Sequence, residues 1–405
     1  MIRLTHSTHQ SDSQVLEECR RAFKTLLVRK DIGFHRLPEA KALWEAAQSR
    51  AEQIQKQYTH MAVLGIGGSS LGGLALTEAL RKRNVIFFEN VDAKDFWLRL
   101  EELPNIEKVH WVIVSKSGKT VETLTQTNFL YQFLKTKNIE LKKCSTVVSE
   151  TKSNPLSDWA RTQKIPLLEI PEDVGGRFSV LSSVGLLPAA FTNINLESLK
   201  KGARWSVEQE ELVAQLCAQS LQSFKNQKWT TVFWAYCNQL RSFGLWIEQL
   251  WAESLAKKQN RLQQAAPRVS TPISLIGAND QHSVLQQIAE GFPDKFVWFL
   301  RVTESERYGP RLQTSLFKDQ DEVLGKTMGD LLAAEAQATR AALESSGVSS
   351  LTLEVAELSD ASIGALFMLF ELVTATLGEV MNINAFDQPG VELGKGLARE
   401  ILSKN

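Results

Sequence analysis

The densest chemistry in the chain lies in Val112-Ile113-Val114-Ser115-Lys116-Ser117-Gly118-Lys119-Thr120-Val121-Glu122-Thr123, where an apolar strand runs into a hydroxyl-rich turn that opens a helix. Ser115, Ser117, Thr120, Gly118, Lys116 and Lys119 gather where the first N–H groups of that helix have no partners. Together with the positive end of the helix dipole they make a site for a phosphate dianion. A second turn of the same kind follows Met61-Ala62-Val63-Leu64, in Gly65-Ile66-Gly67-Gly68-Ser69-Ser70-Leu71-Gly72-Gly73. Two such turns on successive strands point to one phosphorylated ligand held between them. Neither turn completes the nucleotide fingerprint it imitates. The third glycine of G-x-G-x-x-G falls on Ser70, and the first glycine of the P-loop falls on Ile113 inside the strand. A nucleotide triphosphatase is therefore only a runner-up. A helix cap with tight glycine packing explains Gly65 to Gly68, but it leaves the paired second turn unexplained.

Four more segments carry candidate groups, each with a bland reading beside it. In Asp173-Val174-Gly175-Gly176-Arg177-Phe178-Ser179, two glycines let the backbone approach a ligand, and a permanently charged arginine would suit a developing oxyanion. On this segment alone, an exposed arginine on a surface turn is the better reading. In the predicted helix 238–258, Gln249 and Glu253 share a face while Leu240, Phe243, Ile247 and Leu250 form the core stripe. A carboxylate at a helix end can serve as a general base, although most are simply solvated. His282, in Gly277-Ala278-Asn279-Asp280-Gln281-His282, is expected in the first turn of a helix capped by Asn279 or Asp280, where the dipole favours a neutral ring. A capping-region histidine without chemistry fits the same pattern. Phe386-Asp387-Gln388-Pro389-Gly390-Val391-Glu392-Leu393-Gly394-Lys395 brings Gln388 and Lys395 to a loop and a helix start, where a lysine can equally be surface charge.

The elements that must position these groups read as follows. Two helices are expected between Val15 and Tyr58. Strand-like runs at Met61–Leu64, Val85–Phe88, Val109–Val114 and Ser145–Val148 alternate with helices, and both phosphate-type turns fall at strand carboxyl ends. Irregular, proline-containing sequence from Ser153 to Gly176 reads as connection, followed by helices to about Lys225. Alternation resumes with strands at Thr230–Tyr236, Ile273–Ile276, Phe296–Val302 and Leu351–Val355. The charged run Lys318–Glu322 reads as a solvated loop.

Size and composition bound the class. A chain of 405 residues suits two domains, and 43% apolar with 23% charged content is that of a globular protein. With 46 basic and 46 acidic residues there is no net field to draw in a polyanion, so nucleic acid is not an expected partner. Scattered cysteines at 19, 144, 217 and 237 fit reduced thiols. Met1 to Gln10 lacks the layout of a signal peptide, and the apolar window Ala361–Val380 carries Glu371, so it reads as a buried helix rather than a membrane span. A cytoplasmic protein is expected. His6 and His9 lack further ligands, and no metal site is expected.

Taken together, these segments resemble the phosphoglucose isomerase family. The likeness runs from about Val63 to Lys395, and it is most specific in Gly175 to Ser179 and in Phe386 to Lys395. It implies an α/β fold of two doubly wound parallel-sheet sugar-isomerase domains with helical N-terminal and C-terminal extensions. The parts are an N-terminal extension (1–60), a first domain (61–180), a helical connection (181–228), a second domain (229–380) and a C-terminal active-site segment (381–405). The resemblance further implies that Gly68, Ser69, Ser115, Ser117 and Thr120, with the backbone of Lys116, hold a sugar phosphate. Glu253 would be the base that moves a proton between C2 and C1 through a cis-enediolate. Arg177 would stabilise that charge, His282 and Lys395 would assist ring opening, and Gln249 and Gln388 would line the pocket. It implies a homodimer in which His282 crosses the interface, and no cofactor. Ser70, Ser117-Gly118-Lys119 and Leu255-Ala256-Lys257 depart from the family's usual residues, which bears on preference between glucose and mannose phosphates. The competing classes are a non-catalytic sugar-phosphate sensor, which would lack Glu253, Arg177 or His282, and the isomerase half of an amidotransferase.

Overall fold

A computed structural model of the chain describes residues 1–9, 12–317 and 321–404. Lys318 to Gln320 of the charged run lie outside them. The elements are β1 (Ile2–Ser7), α1 (Ser13–Val28), α2 (Lys41–Gln55), β2 (His60–Leu64), α3 (Leu71–Ala79), β3 (Val85–Phe88), α4 (Ala93–Glu102), β4 (Val109–Val114), α5 (Val121–Thr136), β5 (Ser145–Ser149), α6 (Pro155–Gln163), β6 (Leu167–Glu169), α7 (Ser183–Phe191), α8 (Leu196–Val207), α9 (Glu210–Lys225), β7 (Thr230–Ala235), α10 (Arg241–Leu255), β8 (Thr271–Ile276), α11 (Leu285–Glu290), β9 (Lys295–Val302), α12 (Met328–Ser345), β10 (Ser349–Val355), α13 (Asp360–Val380) and α14 (Glu392–Lys404).

Two five-stranded sheets result. The first has the order β3-β2-β4-β5-β6, all parallel, and the second the order β1-β10-β9-β7-β8, parallel except for β1. The parallel strands of each sheet start at an inner one, β2 or β7, and wind first one way and then the other. The reversal opens a crevice beyond the carboxyl ends of β2 and β4 in the first sheet, and of β7 and β9 in the second. Both hydroxyl-rich turns therefore lie at the reversal of the first sheet. The strands carry near-continuous apolar runs because both faces are covered: every residue of Val109–Val114 is buried.

Two segments differ from the sequence reading. The N-terminal extension does not begin helically. Ile2–Ser7 is an edge strand antiparallel to β10, with Ile2 buried against the core, and a polar hexapeptide with only two large apolar residues gives too little alternation to reveal it. Likewise 153–176 is not all connection. Asn154 caps α6 in a reciprocal box with Ser157, with Pro155 at the first helical position, and the three-residue β6 extends the first sheet.

The core helix α13 is the one described helix long and apolar enough to cross a membrane, and it is buried from Ser362 to Gly378. Its Glu371 is fully buried, with neither carboxyl oxygen hydrogen-bonded among the described residues, and burial pushes its pKa well above the usual carboxylate range. Such a group destabilises the fold. Glu371→Leu is expected to raise stability by roughly 1–3 kcal/mol in thermal or denaturant unfolding. The folded acid keeps its proton, whereas the unfolded one loses it above pH 4.5. The advantage of the variant over the parent should therefore widen as pH rises from about 5 to 8.

Candidate active site

The centre of the site is Arg177, which leaves the Gly175-Gly176 turn and is only 3% exposed. Its Nε donates to Ser254 Oγ at 2.7 Å, and its Nη2 donates to the carbonyls of Ala385 at 2.5 Å and Asp387 at 3.0 Å. Its Nη1 reaches Gln388 Oε1 at 3.3 Å and Glu253 Oε1 at 3.2 Å. A guanidinium has five N–H donors, and here four make hydrogen bonds while Nη1 also pairs with the Glu253 carboxylate. Burial pulls the arginine's pKa down, and the carboxylates of Glu253 and Asp387 pull it back. The exposed surface arginine of the bland reading is thus overturned: three segments far apart in sequence close around this one cation.

Glu253 lies in the last turn of α10, whose apolar stripe of Leu240, Phe243, Ile247 and Leu250 is buried. That stripe turns the other face outward, and Gln249 Nε2 donates to Glu253 Oε2 at 3.2 Å. The base candidate therefore has one oxygen on Arg177 and the other on Gln249, with its side chain 27% exposed. Glu248 faces elsewhere and accepts the N–H of Ser274 on β8. Helix α10 follows the second sheet's first strand yet packs on α3 of the first sheet, which brings Glu253 to the first turn. A Cβ on Gly68 would come within 2.5 Å of the Gly176 backbone, so only glycine allows the first turn to abut the arginine turn. Gln249 Nε2 lies 3.1 Å from where a Cβ on Gly67 would be.

In the second turn, Ser115 Oγ and Thr120 Oγ1 are 2.8 Å apart, and α5 begins without a side-chain cap, which leaves its first N–H groups for an anion. Gly118 has φ +61° and lies against Asn154, where any Cβ would collide with the carboxamide. The Ser117 hydroxyl accepts the Lys119 N–H at 3.3 Å. The Lys116 ammonium turns to Glu150, at 3.3 Å, and to the Glu172 carbonyl, at 2.9 Å, so its side chain is engaged within the protein. Ser69 is half-buried beside Ser70, whose hydroxyl donates to the Gly67 carbonyl.

Two open cavities adjoin the centre. One of about 1100 Å³ is lined by Glu253, Lys257, Arg261, Asp387 and Gln388, and one of about 360 Å³ by Lys116, Glu172, Gly175 and Phe386. The hydroxyls of Ser69, Ser115, Ser117 and Thr120 line neither. Under the centre, Phe34, Phe178 and Phe386 form an aromatic cluster with centroids 4.9, 5.2 and 6.2 Å apart, which keeps the arginine turn and the C-terminal segment in register.

His282 stands apart from this cluster. His282 is exposed at the end of a 3-10 turn (Asn279–His282) that precedes α11, and no side chain caps that turn, because Asp280 is used by the Ile276 N–H. The expected capped first turn, and the dipole argument built on it, therefore do not hold. Lys395 is exposed on α14. No bond among the described residues joins His282 to Arg177 or Glu253. The sequence reading missed Ser254 and the pair Lys257–Asp387, which brace the centre; only their proximity to Glu253 and Gln388 could have marked them.

The Phosphoglucose isomerase family profile matches residues 38–405. The chain is 34% identical over 404 residues to a glucose-6-phosphate isomerase of Thermus thermophilus, spanning 96% of this chain and 95% of that one. It is 32% identical over 385 residues to one from Campylobacter jejuni, spanning 92% of each. Among solved structures, it superposes on a hypothetical protein of Thermus thermophilus with TM-score 0.86 and 30% identity, over 99% of this chain and 100% of that one. A glucose-6-phosphate isomerase of Chlamydia trachomatis shares the fold with TM-score 0.78 at 22% identity, over 100% of this chain and 81% of that one. The chain belongs to the phosphoglucose isomerase family.

Proposed function

We propose that the protein interconverts glucose 6-phosphate and fructose 6-phosphate, and that Glu253 is the base. The observation that carries this reading is the Glu253 carboxylate held between Arg177 and Gln249 at the mouth of an open cleft, next to a turn built for phosphate. With the sugar ring open, Glu253 removes the proton from C2 and the electrons move to the C1 carbonyl, giving an enediolate. The same carboxyl returns the proton to C1 while the hydroxyl proton passes from O2 to O1, leaving a ketone at C2. Proton transfer beside a carbonyl asks for a base and a compensating charge, which this chain supplies from its own side chains. Nη1 carries the two longest contacts of the guanidinium, to Gln388 and Glu253, and is the nitrogen that meets an enediolate oxygen.

Gly68, Ser69, Ser115, Ser117, Thr120 and the Lys116 backbone hold the phosphate, whose remote binding energy orients C1 and C2. Gln388 lines the pocket with Gln249. Lys395 and the partner subunit's His282 serve ring opening, which accounts for the exposure of His282 in a single chain. The enzyme works as a homodimer in the cytoplasm, where its four buried, unpaired thiols stay reduced. The two sugar-isomerase units are 61–180 and 229–380.

Purified protein given fructose 6-phosphate and a coupled readout of glucose 6-phosphate should turn over without added metal, and Glu253→Gln should lose at least about two orders of magnitude in kcat. Equal rates for the two proteins would remove Glu253 from the role. The shared site has its own test. Glu253→Gln and His282→Ala should each be nearly inactive alone, whereas co-expressed subunits should regain activity, because a mixed dimer contains one unaltered site. No recovery in isolated mixed dimers would place both residues in one chain's site.

A further inference from the structure

We propose that Lys257 is a positioning residue for the reaction, clamping the end of α10 to the C-terminal active-site segment so that the Glu253 carboxylate stays aimed at the substrate. The proposal rests on the reading of Glu253 as the base.

Glu253 occupies the last turn of α10, and the helix gives way to extended backbone at Ala256. Carbonyls in a last turn have no partners within the helix, and such turns fray. A base placed there needs a backbone tether besides the side-chain contacts of Arg177 and Gln249. Lys257, two residues beyond the helix end, supplies one. Its ammonium donates to the Glu253 carbonyl itself at 2.9 Å, to the Asp387 carbonyl at 2.5 Å, and pairs with Asp387 Oδ1 at 3.2 Å. The lysine side chain is only 6% exposed, although it carries a charge. Asp387 is braced in turn, its Oδ2 accepting from Asn384 Nδ2 at 2.8 Å.

The geometry makes Lys257 the mirror of Arg177. The arginine holds the Glu253 side chain and the Ala385 and Asp387 carbonyls from one side, and the lysine holds the Glu253 backbone and Asp387 from the other. Burial lowers the lysine's pKa, and Asp387 opposes that loss, which fits an ammonium retained for its hydrogen bonds. An ammonium in the wall of the cleft that is satisfied by two carbonyls and a carboxylate, on a side chain almost out of water, is placed to orient a neighbour rather than to meet substrate.

The test is Lys257→Met, which keeps the length and removes the donors. We expect kcat for fructose 6-phosphate to fall about 10- to 100-fold, the scale of a base displaced by about an ångström, with KM changed less than about twofold. Combined with Glu253→Gln, Lys257→Met should lower the residual rate no further, because a positioning residue acts only through the group it positions. If Lys257→Met folds poorly, Asp387→Asn carries the test, with a several-fold loss in kcat at constant KM. An unchanged kcat in both variants overturns the clamp, as does a further loss in the double variant. Full activity in Glu253→Gln alone would instead sink the reading of the base and leave Lys257 a different explanation.

Discussion

A buried guanidinium is the constraint on which the rest of this site depends. Placing Arg177 almost out of water costs several kcal/mol unless its charge and every N–H are matched. The chain meets that demand from Ser254 and Glu253 on one helix and from Ala385, Asp387 and Gln388 more than a hundred residues further on. The arginine turn, α10 and the C-terminal segment meet at this cation. The aromatic cluster of Phe34, Phe178 and Phe386 excludes water beneath them and makes the matching tight. Structure and proposed chemistry share this cation: the interaction that closes the fold around the arginine also holds the carboxylate in place.

The two-sheet architecture divides the labour. The first sheet's reversal places two hydroxyl-rich turns at adjacent strand ends, where helix N-termini point and an anion is welcome. The second sheet contributes α10, which crosses to pack on α3 and delivers a carboxylate beside those turns. On the proposed reading, a phosphate tail and a reacting carbon several ångströms apart are each met by an element of a different sheet. The compactness of the contact between Gly68 and Gly176 sets how near the two ends come.

Strand ends and the core stripe of α10 were legible because they depend on local pattern. Apolar runs gave eight of the ten strands to within two residues, and the spacing of Leu240, Phe243, Ile247 and Leu250 fixed the face on which Gln249 and Glu253 lie. What the pattern could not show is long-range. Strand β1 exists because β10 offers it an edge, and β6 is three residues long. Arg177 looked like surface charge because its partners, two backbone carbonyls and the side chains of Glu253, Ser254 and Gln388, lie far away in sequence. His282 was misplaced because Asp280, which resembles a cap, is consumed by the Ile276 N–H. Glu253 was singled out by family resemblance, since nothing in its composition distinguishes it from other exposed glutamates.

The central claim is that one carboxylate, oriented by Arg177, carries a proton between C2 and C1. Isomerisation of fructose 6-phosphate in deuterium oxide, with the glucose 6-phosphate product read by NMR or mass spectrometry, tests it most directly. A partly exposed carboxyl exchanges its proton with solvent in some turnovers, so the account predicts partial deuterium at C2 of the product, lost together with turnover when Glu253 is replaced by glutamine. Full turnover with no deuterium at carbon would mean that the migrating hydrogen is never held on a carboxyl open to solvent, and would contradict it.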